Sequence, residues 1–494
     1  MLFNSIDFLV FFPIVVLIYF VIPKRVRYLW LLVTSYVFYM SWEPAYGLLL
    51  GAVTICSWVG SILIHKSKKA SERKAILTSC IGINILLLCV FKYLDFGREL
   101  LSGLLSMLNI TVLEDRFNIL LPVGISFYTF QTMGYLIDVY RKKIRPERNF
   151  FRFALFVSFF PQLVAGPIER SENLLRQMKE MEKRAVWNLK NVADGLTMMV
   201  WGLFIKMVIA DRVAILVNTV FDGFYFYGAM ALIAGAIGFA LQIYCDFCGY
   251  STIAIGAAKV LGFSLTDNFN TPYFACSISE FWKRWHITLS TWFRDYLYIP
   301  LGGNRGTKGQ KYLNICITMG VSGLWHGANL TFVVWGLLHG MYQVIGDLTK
   351  EPKRKLYERL QAKTDSFSFR FAQGVFTFFL VDFAWIFFRA ESLTDAVAYC
   401  KRIFMRWDPW SLFNGTLYEL GLDRFEMNVL LWATVALLLA DLLKYYKKQT
   451  VVEFLNEQCI WFKWGCIIAL IMATLVYGIY GIWFESSRFI YFQF

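Results

Sequence analysis

Charged side chains are scarce in this sequence of 494 residues: Asp, Glu, Lys and Arg make up 17%, against 57% hydrophobic residues. So little polar surface excludes a soluble globular protein of this length. Charge is also missing locally, since Tyr312–Gly346 contains no Asp, Glu, Lys or Arg. Internal repeats, low-complexity tracts and a soluble domain are absent, so one membrane domain, residues 1–494, accounts for the chain. Histidine is rare, with only His65, His286, His326 and His339. Proton chemistry near neutral pH must draw mainly on that short set. Met1–Asp7 has no basic region ahead of the first apolar run, which therefore reads as a retained first helix and not as a signal peptide. The ten cysteines fall mostly inside apolar runs, which favours buried thiols over a disulfide framework.

What is present in abundance is apolar sequence of near membrane-spanning length. Such runs cover Asp7–Ile22, Tyr46–Ile64, Ala75–Val90, Asn118–Leu136, Val192–Ile209, Met230–Tyr244, Phe371–Phe388, Met427–Leu443 and Phe462–Trp483. With shorter runs added, the pattern predicts an all-α polytopic protein with roughly ten to twelve crossings. The formal charge of +14 is concentrated in connecting segments, such as Lys66–Lys74, Arg141–Arg145, Lys283–Lys311 and Lys353–Arg359. That distribution is the one expected of cytoplasmic loops, and it contains no free-standing basic stripe for nucleic acid. It places the first helix running inward and Leu94–Arg116 outside. Phe150–Pro167 is broken by Pro161, Gly166 and Pro167, so it is expected to turn within protein. Arg170–Lys190 has the alternation of an amphipathic interfacial helix.

Two segments could carry chemistry. Ser277-Ile-Ser-Glu280 has capping-box spacing and Pro300 supplies a stop, which predicts one helix over Ile278–Ile299. On it Trp282, Trp285, His286, Leu289 and Phe293 form an apolar stripe, while Lys283 and Arg294 share a cationic face. The flexible turn Gly302–Gly306 adds Arg305. These cations suit either the phosphates of a nucleotide-type carrier or the phosphates of lipid headgroups. The uncharged Tyr312–Gly346 run is too long for one straight crossing, and both its flanks are basic. It is therefore expected to enter and leave on one side, breaking in the cluster Gly320, Gly323, Gly327 and Asn329. His326 would lie beside that break, and an ionisable group at such depth marks a functional site by default. His339, thirteen residues on, is expected on nearly the opposite face as a packing residue, and His65 as a solvated one. Asp246, at the end of an apolar run, would either orient a histidine or close a helix break. Cys245-x-x-Cys248 reads as two packed thiols, and the spacing of His286, His326 and Asp246 does not predict a zinc site.

Several stretches resemble the membrane-bound O-acyltransferase superfamily, and within it the bacterial alginate O-acetylase branch. They are Leu121–Gln131, Tyr135–Arg141, Phe160–Pro167, Tyr244–Phe247, Asn268–Asn270, Glu280–His286, Arg294–Tyr296, Ile299–Gly303 and Gly323–Gly327. The likeness runs from Met1 to about Gly346, with its core motifs in 118–346. It implies re-entrant and amphipathic helices around a central tunnel in a bacterial cytoplasmic membrane. It also implies His326 as the signature active-site histidine and His286 as the second. The implied donor is a cytoplasmic thioester of the acetyl-CoA type, with no bound cofactor and no metal. The implied acceptor is a hydroxyl reached from outside, through an extracytoplasmic partner protein that modifies a polysaccharide. Candidate substrate-binding residues are Trp325, Trp285, Asp246, Asn329, Lys283, Arg284, Arg294 and Arg305. Acyl transfer from a thioester needs a base, and an apolar surround keeps an imidazole neutral and able to act as one. Competing readings are D-alanyl transfer to teichoic acid, a transporter with a histidine-lined path, and a membrane scaffold.

Overall fold

A computed structural model describes residues 1–106, 122–164, 166–183 and 188–480. Among them there are helices and no strands. Among the described residues six helices are long and apolar enough to cross a membrane: Pro44–Lys66, Ala70–Arg98, Ala229–Val260, Phe367–Arg389, Arg424–Lys447 and Ile460–Tyr477. Other apolar runs form elements too short or too interrupted to qualify. Ile6–Val21 has 16 residues, and Leu189–Phe204 passes into a π-helical turn at Ile205–Ala210. The start of the Asn118–Leu136 run, Leu121 and Ala165 of the motifs, the end of Leu94–Arg116 and the end of Phe462–Trp483 lie outside the described residues.

The chain divides into two compact units. The first comprises Met1–Met199 with Ile253–Thr266. In it Phe150–Pro167 is broken as its prolines require, into Phe150–Ser158, buried from Phe153 onward, and the short buried turn Phe160–Leu163. The amphipathic stretch forms Ser171–Lys179, with Leu174, Leu175 and Met178 turned into the core. Beside it Glu169 is buried, accepting hydrogen bonds from the Thr266 N–H and from Asn173.

The second unit comprises Val200–Thr252 and Asp267–Phe494. Its helices include the part of Ala229–Val260 (α1) before Ile253, and Ile278–Arg284 (α2), Ile287–Phe293 (α3), Lys308–His326 (α4), Leu330–Leu348 (α5), Phe367–Arg389 (α6) and Leu393–Met405 (α7). The α1 helix is apolar and largely enclosed, 72% of its apolar window being buried, so it packs against protein. By contrast Ile460–Tyr477 is 11% buried and offers its apolar surface outward. Within this unit Lys206 reaches Asp211 at 2.7 Å and Asp246 at 2.5 Å, all three being nearly inaccessible to solvent. Burying charge in this way is tolerable only because the ammonium is paired with carboxylates.

Candidate active site

The expected helix over Ile278–Ile299 is broken at its centre. Its start follows the sequence: Ser277 Oγ accepts the Glu280 N–H at 3.2 Å, and the Glu280 carboxylate accepts the Cys276 N–H at 2.9 Å. Trp285 still donates to Phe281 O at 2.8 Å, but His286 then turns to φ 41° and ψ 55°, the left-handed region. The cause is a neighbour distant in sequence. Asn270 N donates to the Arg284 carbonyl and Ile287 N to the Asn268 carbonyl, each at 2.9 Å. Thr288 Oγ1 donates to Asn268 Oδ1 at 2.6 Å. The segment Asn268–Asn270 thus takes over backbone groups that a continuous helix would have satisfied internally. A non-glycine residue held in this region costs on the order of 1–3 kcal/mol, and such strain clusters at functional positions.

The uncharged run forms an antiparallel hairpin of α4 and α5. Both ends lie together, since Lys311 Nζ is 2.7 Å from Asp347 Oδ2, and the Tyr312 hydroxyl donates to the same oxygen at 3.1 Å. The break comes at residues 327–329, where Asn329 caps α5 by accepting the Thr331 N–H at 3.0 Å. Its amide also donates to Glu391 O at 2.8 Å. Gly320 and Gly323 lie inside α4 and are not part of the break. His326 is the last residue of α4 and so sits at the hairpin tip.

The break in one element and the tip of the other bring the two histidines to the same indole. The Trp325 ring centroid lies 6.0 Å from that of His286 and 4.9 Å from that of His326. Trp335 and Phe388 cover His326 edge-on at 5.0 and 5.3 Å, and Phe247 meets His286 at 4.6 Å. Exposure is 0% for His286 and 3% for His326, so both imidazoles are enclosed by aromatic carbon.

Close by is a cavity of about 510 Å³ whose lining includes Trp282, Lys283, Arg294, Tyr298, Lys311 and Met319. Lys283 and Arg294 thus face one space, as the cationic-face argument expected, although a kink and not a straight helix puts them there. Neither His286 nor His326 lines it. The remaining candidates are placed otherwise. Arg284 pairs with Glu280 at 2.7 Å, donates to Thr271 Oγ1 and lies over the Tyr445 ring, an anchoring set of contacts. Arg305 is exposed in its turn, Asp246 sits in the ion cluster with Lys206, and Trp285 is fully buried against Phe281.

His65 is exposed, as expected, and all ten cysteines are free. His339 is fully buried among aromatic rings, packed as expected. It is 5.1 Å from Trp335, which touches His326, and its Nδ1 accepts the Trp282 indole N–H at 3.3 Å. Trp335 and His339 are four apart on α5, the spacing at which side chains meet. Asp382, buried on α6, was missed, although a carboxylate in an apolar run is itself a signal.

Residues 141–388 match the family described as MBOAT, membrane-bound O-acyltransferase family. The chain belongs to that family. It is 38% identical to the probable alginate O-acetylase AlgI of Azotobacter vinelandii, over 90% of this chain and 86% of the relative. It is 36% identical to the protein of the same name from Pseudomonas putida over the full length of both. A peptidoglycan O-acetyltransferase of Helicobacter pylori is 33% identical over 81% of this chain and 79% of its own. This MBOAT protein is therefore an integral membrane O-acyltransferase, and the segment matched to the family contains His286, Trp325, His326 and the cavity residues.

Proposed function

We propose that this MBOAT protein O-acetylates a cell-surface or exported polysaccharide, passing acetyl from a cytoplasmic thioester donor of the acetyl-CoA type to a hydroxyl reached from outside. The observation that carries the reading is the pair His286 and His326 flanking one indole, next to a cavity bearing Lys283 and Arg294 beside the paired Lys311 and Asp347. Anionic phosphates suit those cations, and the basic flanks of the hairpin favour a cytoplasmic cavity mouth. The names of the relatives support acetyl as the group moved and a polysaccharide as its destination.

In the proposed step, the acceptor hydroxyl oxygen attacks the thioester carbonyl carbon while a His326 ring nitrogen takes its proton. The carbon–sulfur bond breaks and the proton passes to the leaving thiolate, giving ester and free thiol. Such acid–base assistance contributes roughly 10²–10⁴ in rate. His286 positions the thioester or relays the proton. An extracytoplasmic partner protein takes the acetyl group and selects the polymer. The proposal includes a bacterial cytoplasmic-membrane location, a single membrane domain with ten to twelve segments, and a tunnel that opens between the cavity and His326 when donor binds. Purified His326→Ala is expected to transfer no radiolabelled acetyl and release no thiol. Transfer at the wild-type rate refutes the proposal, and thiol-free acceptor uptake would point to a transporter.

A further inference from the structure

Between the cavity and His326 lie three buried ring nitrogens that have no hydrogen-bond partner among the described residues: His339 Nε2, Trp335 Nε1 and Trp385 Nε1. Their side chains are 0%, 0% and 1% exposed. Most buried polar groups in folded proteins are satisfied, so three in one cluster need an explanation. The cluster is compact: Trp335 is 5.1 Å from His339 and 5.5 Å from Trp385 by ring centroid. Its position is also defined, because Trp335 touches His326 at 5.0 Å while Trp282, bonded to His339, lines the cavity.

The bond from Trp282 decides the chemistry of His339. A nitrogen that accepts an N–H carries no proton, so in the neutral ring the proton is on Nε2. All three nitrogens are then donors, since an indole nitrogen only donates. Three donors set in an aromatic wall match a ligand that brings carbonyl oxygens and little else that is polar. We propose that His339, with Trp335, binds the arm of the acyl donor, donating Nε2–H and indole N–H bonds to the carbonyl oxygens of an amide-bearing thioester as it passes from the cavity to His326. The inference rests on the reading of the cavity as the donor site.

The test uses the full chain in detergent with acetyl-CoA as the donor. His339→Phe keeps the ring but can neither accept from Trp282 nor donate to a ligand. His339→Gln can do both. We expect His339→Phe to raise the acetyl-CoA KM about tenfold, the worth of one hydrogen bond, with kcat within roughly threefold of wild type. His339→Gln should recover most of that loss. An unchanged KM in His339→Phe, or equal losses in both variants, overturns the assignment. Lys283→Glu separates the two levels of the argument. If it leaves acetyl-CoA binding intact, the cavity is not the donor site. If it abolishes binding while His339→Phe does not weaken it, only the role of His339 fails. Should His339→Phe fail to fold, ¹⁵N-histidine spectra of the wild type decide, since only four histidines contribute. Acetyl-CoA is expected to shift the His339 Nε2–H signal, and no shift overturns the proposal.

Discussion

Replacing Gly323 with alanine would place a methyl group where the facing helix already has backbone. A Cβ at Gly323 would stand 2.1 Å from the Phe332 carbonyl oxygen, and one at Gly336 would stand 2.2 Å from the Met319 carbonyl oxygen. The two glycines therefore let α4 and α5 touch backbone to backbone. Ordinary contact begins near 3.4 Å, so Gly323→Ala must part the helices locally by about 1.3 Å. His326 follows Gly323 by less than one helical turn, and Trp335 adjoins Gly336, so the displacement falls on the enclosure of the imidazole. A misplacement of about 1 Å at reacting groups can cost on the order of 10²-fold in rate. Overpacking costs about 1–3 kcal/mol of stability, offset in part by the roughly 1 kcal/mol that alanine gains over glycine in a helix. We expect kcat for radiolabelled acetyl transfer to fall about a hundredfold with only a modest fall in Tm. Gly320→Ala is the internal control, because its Cβ would meet nothing nearer than a Leu337 methyl at 3.4 Å. Full activity in Gly323→Ala, or an equal loss in Gly320→Ala, would refute the reasoning.

Other outcomes follow from the same geometry. Lys206→Met leaves Asp211 and Asp246 buried without their cation and should destabilise the protein by roughly 3–5 kcal/mol in thermal unfolding, whereas Lys206→Arg should lose less. Burial raises the Glu169 carboxyl above its ordinary value of 4.5. The folded state then favours the protonated form, so its contribution is present below 4.5 and is lost as pH rises through the raised value. Tm measured across that interval should fall in wild type relative to Glu169→Gln, and parallel curves would contradict this. Ser277→Ala removes the cap of α2 and should cost about 1 kcal/mol of stability in denaturant titrations, with a smaller effect in Ser277→Asp.

What could be read from the sequence was what depends on neighbours in the chain. The cap at Ser277, the cationic pair Lys283 and Arg294, the proline breaks near Pro161 and the return of the uncharged run to its starting side are all local patterns. What could not be read required partners far along the chain. The turn at His286 depends on Asn268–Asn270, and the pairing of Asp246 depends on Lys206. The enclosure of His326 depends on Phe388, in the last third of the chain, where motif resemblance had ended.

The pairing of Lys311 with Asp347 has a consequence for biogenesis. The two helices that carry those residues have 19 residues each, about 28 Å of helix, and the pairing holds their basic flanks together. A hairpin whose ends pair in this way is expected to reach lipid with both arms together. Ribosomes stalled within the second arm should therefore leave the first still extractable by alkali, and release should come only when synthesis passes Asp347.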